Sequence, residues 1–142
     1  MARYSVNVPP RVLAGLRRHA AQAATPECCG ALFGTTDGDD FDVRALVGLP
    51  NEAADPARYR IDARTVQRVE GRAAGAGVSV VGFYHSHPVG PAVPSTTDLE
   101  LACPGYLYLI VEAATGAVRA WRLAADRSGF AELVVTSRAD AA

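Results

Sequence analysis

The sequence predicts a single mixed α/β domain, in which one sheet carries helices packed against it. Strand-like and helix-like segments interleave along residues 1–136, and no linker divides them. Interleaving of this kind favours one mixed sheet with covering helices over separate helical and strand domains. A chain of 142 residues is long enough to bury its own core. Residues 137–142 are expected to form a frayed C-terminal tail.

Helix and turn signals divide the first half of the chain. Pro9-Pro10 suits a helix start, because a missing N–H costs nothing there, and Thr25-Pro26 marks the helix end. The acidic, glycine-containing stretch 36–40 separates two apolar runs, which indicates a hairpin. The expected elements are a weak edge strand at 4–8, a helix at 12–24, strands at 28–34 and 41–49, and a short strand at 59–61.

The second half continues the alternation with two helices and four strands. Asp62 is a suitable N-cap for the first of these helices, and Gly75 and Gly77 stop it. Ser95 opens the shorter helix, which Cys103-Pro104-Gly105 ends. Runs of apolar and β-branched residues mark the strands. The expected elements are helices at 63–74 and 95–102, and strands at 78–84, 106–111, 117–123 and 130–135.

Composition excludes several classes of partner. A net charge of −1 gives no reason to expect nucleic acid or an anionic membrane. No apolar run has the length of a membrane span, and the first residues lack the apolar core of a signal peptide. The three cysteines are too few for a disulfide framework, so reduced thiols are expected. These features predict a cytoplasmic protein.

The strongest candidates for a functional site are the stretch His85-Ser86-His87-Pro88 and the residues Ser95 and Asp98 that follow it. In a strand, residues i and i+2 point to the same face. His85 and His87, at the end of a buried strand, can therefore converge on one ion while Ser86 points away. Asp98 would supply a third ligand. Three protein ligands and an open fourth position are typical of a catalytic zinc site rather than a structural one.

Alternative interpretations of these residues remain open. Ser95 and Asp98 also match a helix N-terminus, where Ser95 would cap and Asp98 would face the positive end of the helix dipole. A ligand and a cap do not exclude each other. Cysteine ligation is disfavoured, because Cys28 and Cys29 lie in an apolar strand, and the chain lacks the paired-cysteine signature of zinc deaminases. His19 is expected to be a solvated residue of the first helix.

A hydrolytic centre also needs a general base, and five carboxylates are candidates: Glu27, Glu52, Asp55, Asp62 and Glu70. Glu27 differs from the others because it enters an apolar strand. Partial desolvation there raises the pKa of a carboxyl group, which suits general acid–base catalysis. From local sequence alone, an equally good interpretation is that Glu27 is a charged residue at the start of a strand and points to water.

Three segments together resemble the JAMM (MPN+) metalloproteases: residues 26–34, 82–88 and 94–98. The family pattern is a Glu on an early strand, then His-x-His, a seven-residue spacer that begins with Pro, and Ser-x-x-Asp. This chain matches that pattern without a gap. The similarity spans roughly residues 4–135, so residues 1–136 are expected to be the catalytic domain.

The resemblance implies a cytidine-deaminase-like fold and one Zn²⁺ ion per chain. It assigns His85, His87 and Asp98 as the metal ligands, with water in the fourth position. It assigns Glu27 as the general base and then the acid. It assigns Ser95 as a donor to the developing oxyanion, a contribution of roughly 2.7–4 kcal/mol for one donor.

Family members cleave amide or isopeptide bonds after the C-terminal Gly-Gly of ubiquitin and ubiquitin-like proteins. With only short loops at 50–58 and 88–94, this chain is most similar to the compact bacterial branch, which acts on sulfur-carrier proteins. The resemblance therefore implies a partner that ends in Gly-Gly, and a reaction such as the release of cysteine from a carrier–cysteine adduct. The alternatives are a deconjugating peptidase of a bacterial antiviral system and a non-catalytic MPN binding module.

A channel for such a tail must admit glycine and reject larger side chains. Tyr84, Pro88 and Pro91 flank the two histidines in the sequence and are expected to wall it. An extended tail would lie along a neighbouring strand edge by β-augmentation.

Overall fold

A computed structural model describes residues 5–22, 27–38, 40–54 and 58–139 of the chain. Seven strands and three helices are formed by these residues. In chain order they are β1 Ser5–Asn7, α1 Pro10–Gln22, β2 Cys29–Asp37, β3 Asp40–Leu49, α2 Ala63–Gly75, β4 Ser79–His87, α3 Thr96–Leu101, β5 Leu107–Glu112, β6 Val118–Leu123 and β7 Phe130–Thr136.

The strands form one mixed sheet that closes into a barrel in the order β1-β3-β2-β4-β5-β6-β7. The short strand β1 closes it, because β1 pairs in parallel with both β3 and β7. Strands β4 and β5 are also parallel, and the remaining neighbours are antiparallel. The mixed α/β class is confirmed, although closure was not expected. The cytidine-deaminase-like arrangement stays a prediction.

Two apolar clusters pack on opposite faces of the sheet. Helix α1 buries Val12 and Leu16 in the first cluster, and α2 buries Val69 and Ala73 in the second. Strand β4 contributes to both clusters because successive side chains of a strand point to opposite faces. The end of β4 is therefore held on both sides, which fixes the positions of the side chains that follow its buried part.

Most expected elements are confirmed, and one is wrong. The Asp62 carboxylate caps α2 by accepting the N–H of Arg64 at 2.9 Å. The expected strand at 59–61 is absent, since these residues pair with no strand and are held instead by loop hydrogen bonds, such as the one from Glu52 N–H to the Arg60 carbonyl. The expected helix end at Thr25-Pro26 and the last residues of the tail, 140–142, lie outside the described residues.

His19 corrects a further expectation. It is half-buried rather than solvated, and its Nδ1 lies 2.7 Å from the hydroxyl of the buried Tyr84. All three cysteines are free, with Cys28 and Cys29 buried and Cys103 exposed. None of the helices in the described ranges has the length and hydrophobicity that crossing a membrane requires.

Candidate metal centre and active site

Three ligand atoms converge at the end of β4. His85 Nε2 and His87 Nε2 lie 3.2 Å apart, and each lies 3.2 Å from Oδ2 of Asp98. His85 and Asp98 are buried, and His87 is half-buried. The structure thus brings together the three side chains that the sequence singled out, and they are a group that could hold a metal ion.

The equal spacing of the three atoms fits a small tetrahedral cation. Zinc binds histidine nitrogen and carboxylate oxygen at about 2.0–2.2 Å, so the edge of its coordination tetrahedron is about 3.3–3.6 Å, close to the separations seen here. A carboxylate and two imidazoles are also a donor set that zinc accepts in catalytic sites. The residues present therefore fit the zinc ion that the resemblance implies.

Strand β4 sets the direction of both imidazoles. His85 and His87 share one face of the strand, while Ser86 is fully buried on the other, where its hydroxyl accepts the N–H of Cys28 at 2.9 Å. Gly82 allows the close approach of β5, because a Cβ at this position would lie 1.9 Å from the Leu107 carbonyl oxygen. The alternation of side chains along β4 thus confirms the prediction that residues 85 and 87 point to the same face.

Asp98 is held by the first turn of α3. Its Oδ2 accepts the main-chain N–H of Ser95 at 2.9 Å, and the Ser95 hydroxyl accepts the N–H of Asp98 at 3.0 Å. This reciprocal pair is a capping box. The capping interpretation is confirmed, and it is compatible with metal ligation, because the oxygen that caps the helix is the one that faces the two imidazoles.

The far end of α3 is tied down by Arg127. Its guanidinium donates to the carbonyls of Ala102 at 2.7 Å and Leu99 at 3.0 Å. Arg127 adopts a φ of 61°, which side chains with a Cβ rarely do and which costs about 1–2 kcal/mol. A six-residue helix is marginal alone. Arg127 therefore helps to fix the element that carries Asp98, and no sequence signal had indicated it.

A backbone carbonyl orients His87. Its Nδ1 lies 2.8 Å from the carbonyl oxygen of Pro91, so Nδ1 carries the proton and the Nε2 lone pair faces the centre. The loop that supplies this carbonyl is anchored at Ala92, whose carbonyl accepts from Trp121 Nε1 and whose N–H donates to Glu112. Pro91 thus orients the His87 ring through its main-chain carbonyl.

His85 is oriented by stacking. Its Nδ1 is buried and has no hydrogen-bond partner in the described part of the chain. The ring of Tyr59 lies parallel to it instead, with centroids 4.3 Å apart and 18° between the planes. Tyr59 is a buried loop residue that sequence reasoning had assigned to a strand, so its role at the site was missed.

The pairing of β2 with β4 brings Glu27 to the site. Cys29 pairs with His85, and Cys28 exchanges hydrogen bonds with Ser86. Extending this register by one residue sets Glu27 opposite His87. The Glu27 side chain is buried, and its charge acts on the pKa of His87. A buried carboxylate beside the centre favours the general-base interpretation over a charge that points to water.

Electrostatics prepare two of the three ligands for a cation. Burial lowers the pKa of His85, which keeps this imidazole neutral. Burial opposes ionisation of Asp98. When no cation is bound, protons on the two Nε2 atoms donate hydrogen bonds to its carboxylate, which outweigh burial and hold the pKa of that carboxyl well below its usual range. A bound cation would take the place of those protons. Burial also opposes protonation of His87, but Asp98 and the Pro91 carbonyl outweigh it and raise the pKa of this imidazole. Protons therefore compete with a metal mainly at His87.

Tyr84 does not wall a substrate channel. It is fully buried on the face opposite the histidines, and its hydroxyl is engaged by His19 on α1. Alternation along β4 explains the error, because a residue next to His85 must point away from it. Pro88 is half-buried and Pro91 is exposed beside the site, so both remain proposed wall residues.

The chain belongs to the family of prokaryotic homologues of the JAB domain, whose family model matches residues 9–124. It is therefore an enzyme of the compact JAMM (MPN+) branch, whose members are metal-dependent isopeptidases and peptidases. The expected resemblance is confirmed.

Three relatives have names that describe the conjugate or adduct that each cleaves. A desampylase of Haloferax volcanii is 42% identical over 101 residues, which cover 70% of this chain and 71% of that protein. A probable TtuB-protein conjugate cleaving protease of Thermus thermophilus is 32% identical, and the match covers 82% of this chain and 74% of that protein. A CysO-cysteine peptidase of Mycobacterium bovis is 34% identical, and the match covers 66% of this chain and 63% of that protein.

Solved structures share the fold across nearly the whole chain. A solution structure of a Desulfitobacterium hafniense protein superposes with a TM-score of 0.85 at 29% identity and covers 95% of this chain and 94% of that one. A solution structure of a Salinibacter ruber protein superposes with a TM-score of 0.74 at 40% identity and covers 93% of this chain and 91% of that one.

Proposed function

We propose that this enzyme hydrolyses the amide bond after the C-terminal Gly-Gly of a ubiquitin-like sulfur-carrier protein, with one zinc ion held by His85, His87 and Asp98. The observation that carries the proposal is the meeting of these three ligand atoms, at equal separations of 3.2 Å, beside the buried Glu27. The relatives whose names describe cleavage of such conjugates support the substrate class.

When bound, zinc would polarise the scissile carbonyl and lower the pKa of a coordinated water to about 7. The chain's own residues supply the rest. Glu27, buried beside the centre, takes a proton from the attacking water and returns it to the leaving amine. Ser95 is exposed, and its hydroxyl accepts from Asp98 N–H, which leaves its own proton to donate to the developing oxyanion.

An apolar groove beside the site suits the tail of a protein substrate. It has a volume of 310 Å³ and is lined mainly by aromatic and aliphatic side chains. Tyr59 and Tyr108 border both this groove and the small cleft at His85 and Asp98. A tail that lies in the groove is therefore directed toward the ligand atoms. The closed barrel disfavours the expected β-augmentation at a free sheet edge.

Two leaving groups are compatible with this site. The likeness to the CysO-cysteine peptidase supports one candidate, the release of cysteine from a carrier adduct. Removal of a ubiquitin-like modifier from a lysine side chain is the second candidate, and the higher identity to the Haloferax desampylase favours it. A non-catalytic binding module is disfavoured, because each residue of the family pattern is present.

The test uses the zinc-loaded full chain and a ubiquitin-like carrier ending in Gly-Gly, linked either to cysteine or to the ε-amine of a lysine peptide. We expect metal-dependent cleavage after Gly-Gly of at least one substrate, and the faster one identifies the leaving group. A carrier ending in Ala-Ala is the matched control and should resist cleavage. Failure to cleave either Gly-Gly substrate, or equal cleavage after chelation, would overturn the proposal.

A further inference from the structure

The side chain of Asn51 joins two segments of the site that are distant in sequence. Its Nδ2 donates to the main-chain carbonyls of Glu27 and Arg58, both at 2.9 Å. Its Oδ1 accepts the N–H groups of Ala53 at 3.0 Å and Arg60 at 3.1 Å. A side-chain amide has two donor hydrogens and one acceptor oxygen with two lone pairs, and Asn51 uses all of them on the main chain.

The two segments carry different parts of the site. Glu27 lies just before β2 begins, where its main chain is no longer fixed by a full ladder of strand pairing. Arg58 and Arg60 flank Tyr59, whose ring stacks on His85. One amide therefore connects the backbone of the buried carboxylate to the residue that orients a ligand.

We propose that Asn51 is a positioning residue, whose amide fixes the main chain at Glu27 and the segment 58–60 relative to each other. The consequence for turnover rests on the proposed function, in which Glu27 is the base. The consequence for the structure does not, because the hydrogen bonds hold whatever the substrate is. Asn51 acts through Glu27 and Tyr59.

Asn51→Asp is the variant that isolates the donors. Aspartate has the same shape and keeps an acceptor for Ala53 and Arg60, but it turns an oxygen toward the carbonyls of Glu27 and Arg58. Repulsion then replaces two hydrogen bonds, and the two segments separate. Asn51→Ala serves as a second variant that removes the amide without adding a charge.

Asn7→Asp is a matched control. The Asn7 amide makes a similar bridge, donating to the Arg138 carbonyl at 3.3 Å and the Asp42 carboxylate at 3.5 Å while accepting the N–H of Arg138 at 2.8 Å. It is half-buried, as Asn51 is. It lies on β1, which pairs with neither β2 nor β4. We therefore expect Asn7→Asp to destabilise the fold without loosening the site.

A measurement independent of activity reports the local opening. The Cys29 thiol is fully buried and points to the carbonyls of Leu49 at 3.7 Å and Pro50 at 3.8 Å, directly before Asn51. Cys28 is buried in the first apolar cluster, on the other face of the sheet. Alkylation by iodoacetamide, followed by peptide mass spectrometry, gives the ratio of labelling at Cys29 to labelling at Cys28.

We expect this ratio to rise about tenfold in Asn51→Asp and in Asn51→Ala, because local opening exposes Cys29 but not Cys28. It should stay unchanged in Asn7→Asp, in which both thiols are exposed only by global unfolding. An unchanged ratio in both Asn51 variants would overturn the proposal, even if their overall stability falls.

The kinetic measurement separates positioning from a merely structural role. At a temperature well below unfolding, the Asn51 variants should lose about tenfold or more in kcat with little change in KM, because a misplaced base affects the chemical step. Zinc content should be retained, and Asn7→Asp should match the wild type. Normal kcat in both Asn51 variants contradicts the proposal. If the wild type itself cleaves nothing, the proposed function fails, and the thiol ratio still decides the role of Asn51.

Discussion

Tyr59 stacks on His85 with ring centroids 4.3 Å apart, and this contact takes the place of the hydrogen bond that usually orients a metal-binding imidazole. Tyr59→Ala should therefore weaken zinc affinity about tenfold, the lower end of the effect of losing a supporting contact. Tyr59→Phe keeps the ring and should bind zinc as the wild type does. Competition with a chromophoric chelator measures both. Equal affinities for the alanine variant and the wild type would show that stacking does not orient His85.

Glu27→Gln should retain zinc but lose turnover. The amide has nearly the shape of the carboxylate and cannot take up a proton, so we expect kcat to fall by about 10²- to 10⁴-fold. Zinc content and thermal stability should stay near those of the wild type, because Glu27 is not among the three ligands. Single-turnover cleavage with metal analysis of the same sample is the measurement. Normal turnover with full zinc content would remove Glu27 from the mechanism.

Ser95 has two roles that substitutions can separate. Ser95→Ala removes both the cap, at about 0.5–2 kcal/mol of stability, and the oxyanion donor, at roughly 10²- to 10³-fold in kcat. Ser95→Asp keeps a capping acceptor but has no hydroxyl to donate. We expect it to restore part of the stability, measured by thermal unfolding, and none of the activity. Recovery of turnover in the aspartate variant would mean that capping alone explains Ser95.

Alkaline pH should destabilise the fold through Cys29. Burial raises the pKa of this thiol from 9.0 to about 12. The folded state therefore retains a proton that the unfolded chain releases, and the associated stability is full below pH 9.0 and is lost as the pH rises toward 12. Each pH unit in this window costs on the order of 1.4 kcal/mol.

Denaturant unfolding between pH 8 and 10.5 measures this dependence, with Cys29→Ala as the comparison. The alanine variant should lose stability less steeply than the wild type above pH 9.0, although its stability at pH 8 is lower because a buried side chain is truncated. Parallel curves for the two proteins would mean that the Cys29 thiol ionises as readily in the folded state as in the unfolded chain.

The sequence sufficed for the residues whose position follows from local periodicity. Alternation placed His85 and His87 on one face, and the Ser95 signature placed Asp98 in a first helical turn. The same alternation should have excluded Tyr84, whose neighbour His85 faces the site. Local patterns do not report the contacts made by irregular segments.

The residues that sequence reasoning missed all act across long sequence separations. Asn51 reaches back to Glu27, Tyr59 reaches forward to His85, and Arg127 reaches back to the end of α3. Barrel closure was missed for a related reason, because it depends on the pairing of β1, a strand of three residues, with both β3 and β7. Such contacts become visible only once the sheet has brought the segments together.

Anomalous diffraction at the zinc edge, from crystals grown with zinc in excess, would locate the metal ion itself. We expect a single strong peak about 2.0–2.2 Å from Nε2 of His85, Nε2 of His87 and Oδ2 of Asp98. The absence of a peak between these three atoms, or a strong peak at the cysteines instead, would contradict this expectation.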